Sequence, residues 1–267
     1  MPKLLVKPEG RHGRVSHVTP ESAGWTYVGF DLHRMKPGEI VAAETGSREV
    51  CLVWISGKGK ATAGGEDFGV LGARMTPFEG APHALYVPAD ANWSVTAETD
   101  LELAVCSAPG GGDYRAKTIP PGTHPKLSRG KGSNVRHVHN IMPEDDNSAH
   151  SLLVVEVITP SGNTSSYPSH KHDRDDLPNE SLLEETYYHR LNPPQGFAFQ
   201  RVYTDDRSID ETMAVEDGCV VMVPRGYHPV GAPHGYDLWY LNVMAGPTRK
   251  WHFHNDPAHE WMLAPKP

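Results

Sequence analysis

Short apolar runs separated by glycine and proline are the feature that most constrains this sequence. The chain has 267 residues, including 26 Gly and 24 Pro that are scattered rather than repeated. The runs between them are rich in Val, Tyr, Trp and Ile, which suit a pleated surface, and no long segment has an apolar period of 3.6 residues. The pattern predicts an all-β protein with many turns. The candidate strands are residues 25–32, 50–55, 84–87, 93–96, 101–106, 152–158, 186–189, 197–203, 219–223 and 237–244.

The candidate strands fall into two sets separated by a stretch rich in glycine and proline. This stretch contains three consecutive glycines and two consecutive prolines, so we expect it to be irregular. The sequence therefore predicts two β halves, at 1–108 and 134–267, joined by a linker at 109–133. Many short strands with turns between them favour a sandwich or a jelly-roll barrel for each half.

Charge and hydropathy exclude several classes of partner. The formal net charge is −8 and there is no strongly basic block, which argues against a nucleic acid partner. No uncharged apolar run is long enough to span a membrane, and residues 1–14 do not resemble a signal peptide. Cys51, Cys106 and Cys219 lie in apolar surroundings without close spacing, which predicts buried thiols rather than disulfides. These features favour a cytoplasmic protein without a membrane partner.

Three His-x-His pairs are the first candidates for chemistry. Residues i and i+2 of a strand point to the same face, so each pair can offer two imidazoles to one metal ion. Taken alone, each pair is weak evidence. The pairs are His137/His139, His170/His172 and His252/His254.

The second pair is strengthened by residues further along the chain. Downstream lie the adjacent carboxylates Glu184 and Glu185, and then a Pro-x-Gly turn that ends two residues before His228. This turn resembles the second cupin motif, in which the histidine stands three residues after the glycine. With His170 and His172, one glutamate and His228 make a mixed nitrogen and oxygen set. Such a set suits one divalent ion, Zn²⁺, Mn²⁺, Fe²⁺ or Ni²⁺, and leaves coordination positions for a substrate.

The first half lacks the corresponding ligands. Trp93 stands where the cupin turn would place its histidine, and Asn92 stands there at the shorter spacing of the second half. No His-x-His pair precedes Glu49. We therefore expect the first half to serve packing, or the assembly of a homo-oligomer, rather than metal binding.

Several long strings resemble the 5-deoxy-glucuronate isomerase family of myo-inositol catabolism. The resemblance covers most of the chain and is densest after residue 150. A related family is the pectin-pathway 5-keto-4-deoxyuronate isomerase. The strings are SHKHD at 169–173, EETYYHR at 184–190, QRVYTDDRSIDE at 200–211, GYHPV at 226–230, YLNVMAGP at 240–247 and NDPAHEW at 255–261.

The resemblance implies a fold and a reaction. The fold is an all-β bicupin, with two jelly-roll barrel halves joined by the Gly/Pro-rich linker. The reaction interconverts 5-deoxy-D-glucuronate and 2-deoxy-5-keto-D-gluconate, an aldose–ketose isomerisation of a small sugar acid. A metal ion on the carbonyl and hydroxyl oxygens would stabilise the charge of an enediolate.

The glutamate ligand and the base remain open on the residues alone. Only one of Glu184 and Glu185 can face inward, and an acidic insertion at 173–183 separates both from the histidines. In related uronate isomerases the ligand stands two residues before a tyrosine, which favours Glu185 with Tyr187 on its face. Candidates for the base that moves the C2 proton are Glu184, Tyr187, His189 or a metal-bound hydroxide.

The substrate carboxylate requires a cation, for which arginine offers two parallel donors. Lys171 and Arg174 lie beside the expected ligands, and Arg201 and Tyr203 share one face of the candidate strand 197–203. If that face lines the barrel, Arg201 points into the cavity. These four are the candidate substrate-binding residues.

The segment 251–256 either closes over the barrel mouth or packs outside it. An isomerase of another 4-deoxy- or 5-keto-uronate is one alternative function. An iron-dependent cupin oxygenase is another, because two histidines and a carboxylate also suit Fe²⁺ and O₂. A sugar-acid sensor or storage protein without turnover is a third.

Overall fold

The structure, a computed structural model, describes residues 3–263 and consists almost entirely of antiparallel strands. The strands before residue 110 are β1 (Leu5–Val6), β2 (Gly13–Val18), β3 (Gly29–Met35), β4 (Ile40–Glu44), β5 (Arg48–Ser56), β6 (Gly59–Ala63), β7 (Glu66–Leu71), β8 (Ala84–Val87), β9 (Asn92–Ala97) and β10 (Leu101–Pro109). The next are β11 (Lys117–Ile119), β12 (Lys126–Arg129), β13 (Arg136–Met142), β14 (Leu153–Thr159), β15 (Thr164–Ser165), β16 (His170–Lys171), β17 (Asp173–Asp176) and β18 (Glu180–Leu182). The last are β19 (Glu184–Asn192), β20 (Phe197–Tyr203), β21 (Asp210–Glu216), β22 (Val220–Val223), β23 (Val230–Gly231), β24 (Asp237–Ala245) and β25 (His254–Asn255).

Helices are few and short in the described part of the chain. They are α1 (Pro20–Ala23) and two 3₁₀ turns at Gly132–Asn134 and Glu260–Leu263. Among residues 3–263, no helix has the length and hydropathy needed to cross a membrane.

Each half is a pair of sheets around its own core. The first half has one sheet in the order β11-β8-β5-β10-β3-β2 and another in the order β4-β9-β6-β7. The second half has the orders β1-β22-β19-β24-β14-β13-β12 and β15-β23-β20-β21, with two ribbons, β16-β25 and β17-β18. The prediction of an all-β protein with two barrel halves is confirmed.

The larger sheets of the two halves pack face to face and form a third core. In β5, Leu52 and Trp54 point into the first barrel, whereas Cys51 and Val53 point into the layer between the barrels. In β19, Tyr187 points into the second barrel and Tyr188 points into the shared layer. These strands are buried on both faces, so their sequences are continuous apolar runs rather than alternating ones. All three cysteines are buried and unpaired, as expected.

The expectation of an irregular linker is wrong. Residues 109–133 contain β11, which extends a sheet of the first half beside β8, and β12, which extends a sheet of the second half beside β13. Such short edge strands need only backbone pairing with an existing sheet, which composition does not reveal. The N-terminal β1 crosses to the second half and pairs with β22. The domain boundaries themselves stay a prediction.

Two buried glutamates hold the halves together by the same device. Glu49, in β5, accepts N–H groups from His150, Ser151 and Leu152 of the second half at 2.6–2.8 Å. It also accepts the hydroxyl of Tyr86 at 2.8 Å. Each hydrogen bond from a backbone N–H to the carboxylate is charge-assisted, and Glu49 gives all four of these donors a partner.

Glu184, in β19, repeats this contact in the opposite direction. It accepts N–H groups from Thr26, Tyr27 and Val28 of the first half at 2.6–3.1 Å. The two glutamates also occupy equivalent strand positions, since Glu49 lies opposite Ala108 in β10 and Glu184 lies opposite Ala245 in β24. Each half therefore supplies one carboxylate that binds a loop of the other.

Further buried polar contacts cross the same layer. The guanidinium of Arg74 donates to Glu156 at 2.8 Å, and the hydroxyl of Tyr188 donates to Glu102 at 2.7 Å. Arg190 also donates to Glu102 at 2.7 Å. These pairs specify one relative placement of the two sheets, because a shift would leave charged groups buried without partners.

We predict that Glu49→Ala strongly destabilises the protein. The substitution leaves three backbone N–H groups and one phenol without their buried acceptor, so the free energy of unfolding should fall by about 3 kcal/mol or more. Urea unfolding followed by tryptophan fluorescence measures the change. Glu211→Ala, at an exposed position of β21, is the control and should change stability by less than about 0.5 kcal/mol. Equal effects for the two variants would contradict the structural role of Glu49.

Candidate metal centre

Three histidines converge inside the second barrel. His170 lies in β16, His172 follows that strand by one residue, and His228 follows the turn after β22. One nitrogen from each lies within 4.8 Å of the others. Among the histidine, cysteine and acidic side chains of residues 3–263, these three histidines form a group that lies close enough to share a metal ion.

Glu185 completes the set. Its Oε2 atom lies 3.2 Å from Nε2 of His172 and 3.3 Å from Nε2 of His228. Strand alternation in β19 places Glu185 and Tyr187 inside the barrel and Glu184 in the layer between the halves. The structure thus brings together all four residues that the sequence proposed as ligands, with Glu185 as the glutamate.

Backbone carbonyls orient two of the imidazoles. Nδ1 of His172 donates to the carbonyl of Leu183 at 3.0 Å, and Nδ1 of His228 donates to that of Gly226 at 2.9 Å. A carbonyl only accepts, so Nδ1 carries the hydrogen in each ring and the Nε2 lone pair faces the cluster. Such outer contacts are the usual means of fixing metal-binding histidines.

The protonation states of His170 and His228 also suit a cation. Burial, together with the neighbouring imidazoles, lowers the pKa of His170 and His228 to about 3. Burial opposes protonation of His172 too, but the hydrogen bond and charge of Glu185 outweigh it and raise the pKa of His172. Nε2 of His228 is buried without a hydrogen-bond partner among the described residues. Three imidazoles and a carboxylate with an orphaned nitrogen fit a divalent metal ion.

The first half has lost this constellation at matching positions. Val50 lies opposite Val87 as Glu185 lies opposite Val223, so a valine takes the place of the glutamate. Asn92, which corresponds to His228 by its spacing from the turn, is exposed at the start of β9. The absence of a metal site from the first half stays a prediction.

A cavity of about 240 Å³ opens beside the cluster. It is smaller than most drug-sized ligand pockets, which suits a small polar molecule. Trp251, Phe253 and Asn255 of the C-terminal segment line it, so this segment closes over the barrel rather than packing elsewhere. The other lining residues are Arg129, Arg136, Val138, Val157, Ser166, Tyr167, Pro168, His170, Glu185, Tyr187, Tyr240, Asn242 and Leu263.

Only one of the three residues proposed as catalytic lines this cavity. Tyr187 does, and its hydroxyl lies 2.9 Å from Oγ of Ser166. Glu184 is committed to the contact between the halves, so its proposed role as a base is wrong. His189 faces the barrel interior two residues beyond Tyr187 but does not line the cavity.

The residues proposed to bind substrate lie elsewhere. Lys171 alternates with the histidines and therefore points away from them, forming ion pairs with Asp173 and Asp205 at 3.0 and 2.7 Å. Arg174 is exposed and also pairs with Asp205.

Arg201 and Tyr203 lie on the outer face of β20. Arg201 pairs with Asp210 at 2.8 Å, and the hydroxyl of Tyr203 donates to Asp256 at 2.8 Å. The interior face of β20 instead carries Ala198 and Val202. The condition for Arg201 to point into the cavity, that the aromatic face lines the barrel, is not met, because Phe199, a member of that face, is half exposed.

Two arginines that sequence reasoning missed do line the cavity. Arg129 ends β12 and Arg136 begins β13, both at the edge of the large sheet. The His137/His139 pair drew attention to this strand, but Arg136 and Val138 occupy the alternate positions that face the barrel. Alternation would have identified Arg136 if the inward face of β13 had been known.

Two stacked barrels, one carrying three histidines and a glutamate, define this protein as a bicupin with a candidate metal centre in its second half. A family model described as KduI/IolB matches residues 4–262, and the chain belongs to that family.

Named relatives agree with this placement. A Geobacillus kaustophilus (strain HTA426) protein named 5-deoxy-glucuronate isomerase is 56% identical over 269 residues, covering 100% of this chain and 97% of its own length. A Bacillus subtilis (strain 168) protein of the same name is 50% identical and covers 98% and 99%.

Solved structures support the fold. The crystal structure of an IolB-like protein from Salmonella typhimurium LT2 matches with a TM-score of 0.96 and 51% identity, covering 98% of this chain and 100% of that one. Oxalate decarboxylase from Lactobacillus farciminis matches with a TM-score of 0.66 and 13% identity, covering 96% and 89%. The second likeness concerns the fold alone.

We predict that His189 makes stability depend on pH. Burial lowers its pKa to about 4 from an ordinary 6.5, so the unfolded chain binds a proton at a higher pH than the folded one. Stability is therefore lost as pH falls from about 6.5 towards 4. Between pH 7 and pH 5, the wild type should lose about 2 kcal/mol more than His189→Gln. Urea unfolding with a chelator present measures this, and parallel pH profiles for the two proteins would contradict it.

Proposed function

We propose that this protein is a metal-dependent isomerase that interconverts 5-deoxy-D-glucuronate and 2-deoxy-5-keto-D-gluconate in myo-inositol catabolism. The observation that carries the proposal is the convergence of His170, His172, Glu185 and His228 beside a small cavity that His170 and Glu185 line, in a chain about half identical to isomerases of that name. The relatives do not favour another uronate or an oxygenase. We further propose that it works in the cytoplasm as a homo-oligomer, on a small sugar acid and not on nucleic acid or membrane.

The proposed reaction moves a proton from C2 to C1 of a hydroxyaldehyde, and negative charge develops on the two neighbouring oxygens. A divalent ion held by the four ligands would supply Lewis acidity at that end of the substrate. The protein's part is to hold the ligands with the imidazoles facing inward, those of His170 and His228 neutral, and to close the cavity with the C-terminal segment. Closure keeps water from the reacting carbons.

Tyr187 is the titratable candidate that reaches the cavity. Burial, and then the charge of Glu185, raise its pKa well above 10, so the phenol stays protonated at neutral pH. In this state Tyr187 cannot act as the base. We propose that it donates a hydrogen bond to a substrate oxygen on which charge develops, with Ser166 holding the hydroxyl in place.

The reaction itself is tested with 5-deoxy-glucuronate under anaerobic conditions. We expect the ketose product in the NMR spectrum and, in D₂O, exchange of solvent deuterium at the transferred hydrogen. Turnover that requires O₂ would favour an oxygenase, and binding without turnover would favour a sensor. Either result would overturn the proposal.

The metal requirement is tested by elemental analysis of purified variants. The wild type should retain roughly one divalent ion per chain, and His170→Ala, His228→Ala and Glu185→Gln should lose most of it. His252→Ala removes an exposed histidine outside the cluster and should keep the ion. Glu184→Gln should also keep it, because Glu184 lies in the layer between the halves. Circular dichroism establishes that each variant is folded, and stoichiometric metal in folded His170→Ala and His228→Ala would refute the site.

A further inference from the structure

Arg129 and Arg136 form an unusual pair of like charges. They lie directly opposite each other on the antiparallel strands β12 and β13, an arrangement that is unfavourable unless something compensates. Within residues 3–263, neither forms an ion pair. The side chain of Arg136 donates one hydrogen bond, to the carbonyl of Asn134 at 3.1 Å, and its other side-chain donors have no partner in the described part of the chain.

The surroundings favour an anion between them. Arg129 is exposed, whereas Arg136 is partly buried. Burial lowers the pKa of Arg136, the phenol of Tyr240 offsets part of this, and the charge of Arg129 lowers it further, so the folded protein opposes the charge of Arg136. Two other shielded arginines have an acidic partner, since Arg74 pairs with Glu156 and Arg190 pairs with Glu102. Arg48 and Arg249 have no acidic partner among the described residues but donate several hydrogen bonds to backbone carbonyls, which Arg136 does not. An anionic ligand in the cavity would supply the negative charge that no acidic side chain of residues 3–263 provides here.

We propose that Arg129 and Arg136 bind the carboxylate of the substrate, and that Val138 and Val157 contact the methylene group at C5. This inference rests on the proposed function and assigns the opposite end of the same substrate. Arginine suits the task because its planar fork matches the two oxygens of a carboxylate.

The position of the two valines follows from strand geometry. Val138 lies two residues after Arg136 on the same face of β13, and Val157 is its direct partner in β14. Both valines are buried and line the cavity. In the substrate, C5 is bonded to the carboxylate carbon, so the atom next to the arginines meets the valine pair.

This apolar pair gives a reason for preferring a 5-deoxy acid. A C5 hydroxyl placed between two valines would lose its water and find no partner there, whereas a methylene loses nothing. Discrimination of this kind against an added hydroxyl reaches roughly 100-fold. We therefore expect glucuronate itself to be a poor substrate.

The carboxylate contact is tested by comparing the acid with its methyl ester. Arg136→Gln and Arg129→Gln should each lower kcat/KM for the acid roughly 10- to 100-fold, and change kcat/KM for the ester less than about threefold. Arg136→Lys, which keeps the charge but loses the fork, should lie between. Arg201→Gln removes an arginine on the outer face of the barrel and is the matched control, with both substrates unaffected.

A binding measurement gives a readout independent of turnover. Calorimetry with the C1-reduced acid, which cannot isomerise, should show wild-type binding that weakens at least tenfold in Arg136→Gln but not in Arg201→Gln. Inactive wild type would overturn the proposed function. Active wild type with unchanged acid-to-ester preference in both arginine variants would overturn this inference alone.

The valine contact is tested by isosteric substitution. Val138→Thr and Val157→Thr should each raise the kcat/KM ratio of glucuronate to 5-deoxy-glucuronate about tenfold, because the new hydroxyl can pair with that at C5. Val155→Thr, in the same strand and barrel core but outside the cavity lining, controls for the cost of a buried hydroxyl. If Val138→Thr and Val157→Thr keep the wild-type ratio of the two kcat/KM values, as Val155→Thr should, the assignment is refuted.

Discussion

The reciprocal contacts that Glu49 and Glu184 make with the opposite halves are the interactions on which the rest of the structure depends. Each carboxylate leaves its own barrel and binds three backbone N–H groups of the other. The contact fixes how the two large sheets pack. It also fixes the alternation of β19, because a strand with Glu184 in the layer between the halves must turn Glu185 into the barrel. The contact between the halves and the candidate metal centre therefore use opposite faces of the same strand, β19.

The second barrel holds its histidines in fixed orientations and leaves polar and charged groups inside it without partners among residues 3–263. Backbone carbonyls orient His172 and His228, so their free nitrogens point inward. Burial keeps His170 and His228 neutral, which metal binding requires. At the other side of the cavity Arg129 and Arg136 face each other without an acidic partner in the described chain. A ligand with electron-rich oxygens at one end and a carboxylate at the other complements both sides.

The overall charge of −8 does not predict this local environment. Lys171, Arg174 and Arg201 are each neutralised by a nearby aspartate, so proximity in sequence to the ligands did not make them substrate contacts. The cations at the cavity, Arg129 in β12 and Arg136 in β13, precede His170, the first ligand, by more than thirty residues. One of these strands lies in a stretch whose glycine and proline content had indicated irregular structure.

Much of this protein is determined by local pattern. Apolar runs between turn residues indicated an all-β fold, and His170, His172 and His228 were recognisable because period-two alternation and motif spacing are properties of the chain itself. The choice of Glu185 over Glu184 came from the resemblance to related isomerases. Other features depend on which strands become neighbours. These are the edge strands in the linker, the outward face of β20, the role of Glu184 between the halves, and the pairing of Arg129 with Arg136. Alternation says which residues share a face, but only the packing of the sheets decides which face is inside.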